Sequence, residues 1–274
     1  MSRGSGREGD PPPAPEPLPV PVPDSHCHLD IVGGDVASQL AAARAVGVDT
    51  VLQVGVDLES SRLSAELAAA YDDIWAAVAL HPNDAGLGAA TPEALAEIER
   101  LAGLPQVRAV GETGLDHFRT GPDGRGAQEE SFRAHIAIAK RTGKALVIHD
   151  RDAHDDVLRV LAEEGAPDTV VFHCFSGDAA MARICAEQGY FLSFAGTVTF
   201  KNAGDLREAA AVAPRELLLA ETDAPFLTPT PWRGRPNGSY LVPLTVRALA
   251  EVRGDDLAEL CDALAANGRR AFAY

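Results

Sequence analysis

Six side chains in this sequence have the chemistry of metal ligands and fall where short apolar runs end. "SHCHL" (25–29) carries His26 and His28 on either side of Cys27. "VRAVGE" (107–112) ends on Glu112, "ALVIH" (145–149) ends on His149, "TVVFHCF" (169–175) contains His173, and "LLLAETD" (217–223) ends on Asp223. His81 directly follows another such run, "WAAVAL" (75–80). A single histidine in an apolar run is more often a hydrogen-bonded core residue, and a lone carboxylate at a strand end is often a helix cap. Six together ask for a common cause, because an unpaired carboxylate is costly to bury unless it is paired or coordinates a metal.

The spacing adds to this. Alternate residues of a strand share a face, so His26 and His28 can grip one ion while Cys27 points the other way. The same alternation separates His173 from Cys174, and both cysteines read as small buried hydrophobes. One open catalytic zinc keeps three protein ligands and a water. Six ligands suit two divalent ions sharing a carboxylate, roughly 3.5–4 Å apart, which clamp the attacking and leaving oxygens of a hydrolytic displacement. His, Asp and Glu suit Zn²⁺ or Mn²⁺, and carboxylates also suit Mg²⁺, so the identity of the metal is left open.

The apolar runs that must position these groups also include "TVLQVGV" (50–56) and "YFLSFA" (190–195), making eight. Nearly continuous hydrophobicity is expected of parallel strands buried on both faces. Helical spacing occupies 34–47, 91–103, 127–143, 151–165 and 176–189, with two more helices from about Tyr240. Thr91 and Pro92 mark one start, and several of these runs stop at glycine. Eight strands with a helix after most of them predict an α/β fold of the (β/α)8 TIM-barrel type, with the metal site at the C-terminal ends of the strands. An open doubly wound sheet is the alternative, but no G-x-G-x-x-G follows the first strand.

The chain has 274 residues and a formal net charge of -16, which excludes a broad basic nucleic-acid footprint. A phosphate substrate remains compatible, since bound cations invert the local field. Four scattered cysteines without a CxxC pair fit a reduced, cytoplasmic protein. No apolar stretch is long enough for a membrane span. No obligate protein partner is evident. Residues 1–22 are Pro- and Gly-rich and read as a disordered tail, leaving 23–274 as a single domain.

"DSHCHLD", "GETGLDHFR", "VIHDRDAHDDVLRVL", "FHCFSG", "ETDAPFLTP" and "RGRPN" resemble, in order and spacing, the TatD-like metal-dependent deoxyribonucleases of the amidohydrolase-type barrel superfamily. The resemblance runs from about Asp24 to Tyr274. It implies a TIM-type barrel with a two- or three-metal centre. His26, His28 and Asp223 would hold one metal, Glu112 would bridge, and His149 and His173 would hold the second. His81, of "ALHP", would touch a substrate phosphate. Two positions depart from the family: His117 follows "GLD" where an aromatic Tyr or Phe is common, and Gly238 follows Asn237 where an acid is frequent.

The expected function is metal-dependent phosphodiester hydrolysis of DNA, of the 3′-5′ exonuclease type that the resemblance implies. Asp223 would ligate and accept the water's proton, and Glu112 would share the catalytic centre. His81, Arg119 and Arg151 would steady the phosphate, the bland alternative for the two arginines being a solvated or salt-bridged surface. "PWRGR" (231–235) adds two positive charges that could guide DNA, unless it is an ordinary loop. Two rivals remain: hydrolysis of another ester or an amide by the same centre, such as the ester of a D-aminoacyl-tRNA, and a non-enzymatic metal-stabilised barrel.

Overall fold

The computed structural model describes residues 9–274. Its strands are β1 (Val22–Cys27), β2 (Val48–Val54), β3 (Ile74–Val78), β4 (Val107–Asp116), β5 (Ala145–Arg151), β6 (Val170–Phe172), β7 (Phe191–Phe194) and β8 (Leu218–Ala220). They follow one another through a single eight-stranded sheet in chain order. The pairs β3–β4, β4–β5, β5–β6 and β7–β8 are parallel. A parallel bridge between Cys27 and Ala224 joins the end of β1 to the chain just after β8. This is the (β/α)8 barrel expected from the sequence. The strands are buried along almost their whole length, as strands covered on both faces must be.

The helices are α1 (Leu29–Val32), α2 (Val36–Ala45), α3 (Leu58–Ala70), α4 (Pro82–Ala85), α5 (Pro92–Ala102), α6 (Pro122–Thr142), α7 (His154–Glu164), α8 (Ala179–Glu187), α9 (Gly204–Val212), α10 (Val242–Arg253) and α11 (Leu257–Phe272). Helix α6 starts five residues before the expected 127, with Pro122 in its first turn. The sequence reading did not name α3 or α9. Helix α3 hides its periodicity because its buried face includes Ser60, Ser61 and Ser64, though Asp57 and Ser60 cap its start reciprocally. No helix among the described residues is long and apolar enough to cross a membrane.

Two compact units can be distinguished. The first gathers the chain through Leu52, Gly177–Gln188 and Leu192–Arg269. Here the expected disorder of residues 1–22 does not hold for residues 9–22; residues 1–8 lie outside those described. Leu18 is buried and donates its backbone N–H to Val46 O, 3.0 Å away. Side chains collect the carbonyls of the segment: Arg235 Nη1 donates to Asp10 O at 3.1 Å, the Tyr240 hydroxyl to Pro12 O at 2.9 Å, and Arg247 Nη2 to Glu16 O at 3.2 Å and Pro17 O at 3.0 Å. Proline fixes φ in advance, so this segment loses less entropy on docking than its polarity suggests.

The second unit comprises Gln53–Ser176, Gly189–Phe191 and Arg270–Tyr274. Its α6 is tied to the end of β3 by His135, whose Nε2 accepts from Leu80 N at 3.1 Å while Nδ1 donates to Ser131 O at 2.7 Å. That pair of bonds needs the neutral imidazole. Burial pushes its pKa down to about 4, outweighing the Ser131 carbonyl. The unfolded chain therefore takes up this proton near pH 6.5 and the folded chain does not. Stability falls as pH drops from about 6.5 to about 4, by on the order of 3 kcal/mol from this group. Urea midpoints at pH 7 and pH 4.5 should differ less for His135→Gln than for the wild type. An identical acid-induced loss in both proteins would refute this assignment.

Candidate metal centre

In the first unit, β1 delivers His26 and the residue just past its end is His28. Their Nε2 atoms are 3.3 Å apart. Asp223 Oδ1 lies 3.9 Å from His26 Nε2 and 3.7 Å from His28 Nε2. A tetrahedral zinc with ligands at its usual bond lengths holds neighbouring donor atoms about 3.3 Å apart. The three donor atoms thus have nearly the spacing of one ion's coordination shell, and the set of two imidazoles and a carboxylate suits Zn²⁺ or Mn²⁺.

Backbone bonds zip this trio together: Asp223 N donates to His26 O at 2.9 Å and His28 N to Ala224 O at 2.8 Å. Asp223 adopts φ 51°, a left-handed conformation that aspartate tolerates better than most residues. Two buried side chains hold that turn. Asp24 accepts from Thr222 N at 2.9 Å and from Thr222 Oγ1 at 2.6 Å. Asn237 Nδ2 donates to Thr222 O at 3.0 Å and to Phe226 O at 2.5 Å. Burial pushes the Asp24 carboxyl up to about 7 against the pull of the Thr222 bonds. Neither residue stood among the expected site residues. Asp24→Ala should lower metal affinity at this trio by about 10–100-fold, the usual loss when a residue supporting a ligand is removed. Competition with a zinc chelator measures it, and wild-type affinity in the variant would count against the clamp.

In the second unit, Glu112 is presented by a β-bulge. Val110 pairs with Leu146 and Thr113 with Ile148, so Gly111 and Glu112 together oppose Val147. Such a bulge re-aims a side chain beside a site. Glu112 Oε1 receives His149 Nδ1 at 2.6 Å and His173 Nε2 at 2.9 Å, with His81 Nε2 at 3.4 Å. Burial alone would raise the Glu112 pKa, but His173, His81 and His149 hold it well below the usual carboxylate range. Asp116, at the end of β4, lies with Oδ2 3.3 Å from His149 Nε2. Both of those atoms are buried without a hydrogen bond of good geometry, as an uncompensated ligand set would be. Asp116 is a further candidate that the sequence reading passed over. It ends a strand that runs four residues past the Glu112 at which it was expected to stop.

His81 has a different role from the other two histidines. Its Nδ1 accepts from Asn83 N at 3.1 Å, so the neutral ring carries its proton on Nε2. Burial lowers its pKa despite the neighbouring Glu112, which favours that neutral form. His81 groups with Glu112 and His149 by distance, yet with this tautomer it offers an N–H rather than a lone pair.

The remaining expected residues are placed as follows. Arg151 ends β5 and lies over the Phe118 ring, its Cζ 4.0 Å from the centroid. Arg119 is exposed, and its backbone N donates to Asp116 Oδ1 at 2.8 Å. The "PWRGR" loop is less free than expected: Arg235 holds Asp10, and Arg233 lies 4.0 Å over the Phe200 ring. Cys27 is buried as expected, whereas Cys174 is only half-buried, at φ 43°. The short β6 ends at Phe172, so strand alternation no longer governs Cys174.

A barrel with His and carboxylate groups at its strand ends that could hold metal ions suits a metal-dependent hydrolase. The family model of TatD-related DNases matches residues 23–273, and the chain belongs to that family. It is 50% identical over 257 residues to an uncharacterized metal-dependent hydrolase TatD of Mycobacterium tuberculosis, covering 91% of this chain and 97% of the relative. It is 38% identical to the uncharacterized metal-dependent hydrolase YabD of Bacillus subtilis, covering 91% and 98%. The crystal structure of YJJV, a TatD homolog from Escherichia coli, superposes with a TM-score of 0.87 at 29% identity, covering 92% of this chain and 98% of that one.

Proposed function

We propose that this hydrolase cleaves phosphodiester bonds in DNA, removing nucleotides from the 3′ end, with two divalent ions. One ion would be held by His26, His28 and Asp223, and the other by Glu112, His149 and His173. The observation that carries the reading is the convergence of imidazole nitrogens on Glu112 Oε1, one of them the protonated Nε2 of His81. Divalent ions bound there would acidify a water and neutralise charge on a phosphate. Asp223 takes the proton of the attacking water. His81 Nε2–H donates to a phosphate oxygen, and Asn83 N–H keeps that tautomer in place. Asp116 Oδ2 faces His149 Nε2 at 3.3 Å, from the side away from Glu112.

The test is a substrate panel. Metal-stripped protein is reloaded with Zn²⁺, Mn²⁺ or Mg²⁺ and given end-labelled single- and double-stranded DNA, RNA and D-aminoacyl-tRNA. The expected result is metal-dependent release of mononucleotides from 3′ ends of DNA. Deacylation of D-aminoacyl-tRNA with intact DNA would overturn the reading in favour of ester hydrolysis at the same centre. Stoichiometric metal without any turnover would favour a binding barrel.

A further inference from the structure

Phe118 stands out among the aromatic side chains described in the second unit because 63% of it is exposed. It lies two residues past the end of β4, and its position is fixed. Asp116 pairs with Arg151, and His117 N donates to Arg151 O at 2.9 Å, so the β4–β5 ladder runs up to its base. The Arg151 guanidinium covers the ring at 4.0 Å. Arg151 follows the ligand His149 by two positions on β5, so both point the same way, about 7 Å apart along the strand. That separation is comparable to the reach from a backbone phosphate to its own base.

In this chain of net charge -16, Arg62, Arg100, Arg133, Arg141, Arg159 and Arg215 are all paired with carboxylates. Among the described residues Arg151 and Arg119 form no ion pair, as is also true of Arg108, Arg183 and Arg207; what sets Arg151 apart is its place over Phe118, two positions from His149. An exposed ring backed by a cation with no carboxylate partner, beside a metal-ligand cluster, matches how single-stranded nucleic acid is gripped: a base on the π-face, a phosphate near the cation.

We propose that Phe118, backed by Arg151, is the stacking platform for a nucleobase of a single-stranded 3′ end. The platform selects a 3′ end that still carries its base, and it rests on the nuclease reading above. Phe118 acts as a specificity residue and takes no part in the chemistry at Glu112.

The experiment compares wild type, Phe118→Ala and Phe118→Trp on two single-stranded oligonucleotides, one with a normal 3′-terminal nucleotide and one abasic there. Wild type and Phe118→Trp should favour the base-bearing end by about 10-fold in kcat/KM, within the range expected of one stacked base. Phe118→Ala should lose that preference while cleaving the abasic end at the wild-type rate. Fluorescence anisotropy in EDTA, where cleavage stops, should show the same loss in affinity. A preference retained in Phe118→Ala, or absent from the wild type in both measurements, overturns the platform. Binding that depends on Phe118 without cleavage in any metal would instead fault the nuclease reading and leave the platform standing.

Discussion

Glu112→Gln should lower kcat/KM for metal-dependent hydrolysis by about 10³-fold, the scale of loss when one preorganised charged group leaves a buried site. The expectation follows from how many groups depend on one oxygen. Oε1 is the shared partner of His149 at 2.6 Å, His173 at 2.9 Å and His81 at 3.4 Å. An amide of the same shape removes the negative charge that holds these rings and would neutralise a bound cation. Steady-state kinetics at saturating metal, with metal content by elemental analysis, separates lost binding from lost chemistry. Undiminished turnover in a folded Glu112→Gln protein would end the case for this centre.

Gly114→Ala should cost more in stability than most single-site changes. A methyl group at Gly114 would sit 2.1 Å from the carbonyl oxygen of His149, at a backbone φ of 138°. Overpacking and backbone strain each cost about 1–3 kcal/mol, so a loss of roughly 3–5 kcal/mol is expected, with the β5 ligand displaced and activity gone. Gly126→Ala is the matched control: it lies in α6 with nothing within 4 Å of the added carbon. Exchanging an exposed helical glycine for alanine should stabilise by about 0.5–1 kcal/mol. Denaturant midpoints for the two variants measure both effects. A Gly114→Ala protein as stable as the wild type would show that β4 and β5 do not approach as closely as described.

These two positions also show what could be read from the sequence and what could not. His26 and His28 announce themselves because a spacing of two puts both on one face of a strand, and Glu112 because it ends an apolar run. The bulge that aims Glu112 leaves no such trace. Gly111 and Gly114 are visible as letters, but their need for space comes from β5, some 35 residues later in the chain. Asp24 was hidden for a similar reason, since its partner Thr222 belongs to the far end of the sequence. Composition misjudged residues 9–22 because it reports how apolar a segment is, not which carbonyls distant arginines will meet. Helix α3 escaped notice because it buries serine hydroxyls: Ser64 Oγ donates to Ser60 O at 2.7 Å and receives Gln53 Nε2 at 3.2 Å.

The pairing of β1 with the turn after β8 sets an order of events during synthesis. His26 and His28 leave the ribosome early, but Asp223, whose carboxylate faces both rings, and Ala224, which with Asp223 bonds their backbone, come almost 200 residues later. At 5–20 residues per second that gap is roughly 10–40 s. The segment at 9–22 waits still longer, since Arg235, Tyr240 and Arg247 hold its carbonyls. The first trio to be translated in part is thus sealed only once Asp223 and Ala224 have been made, so the nascent chain carries two histidines and a strand edge without these partners while the intervening strands are synthesised.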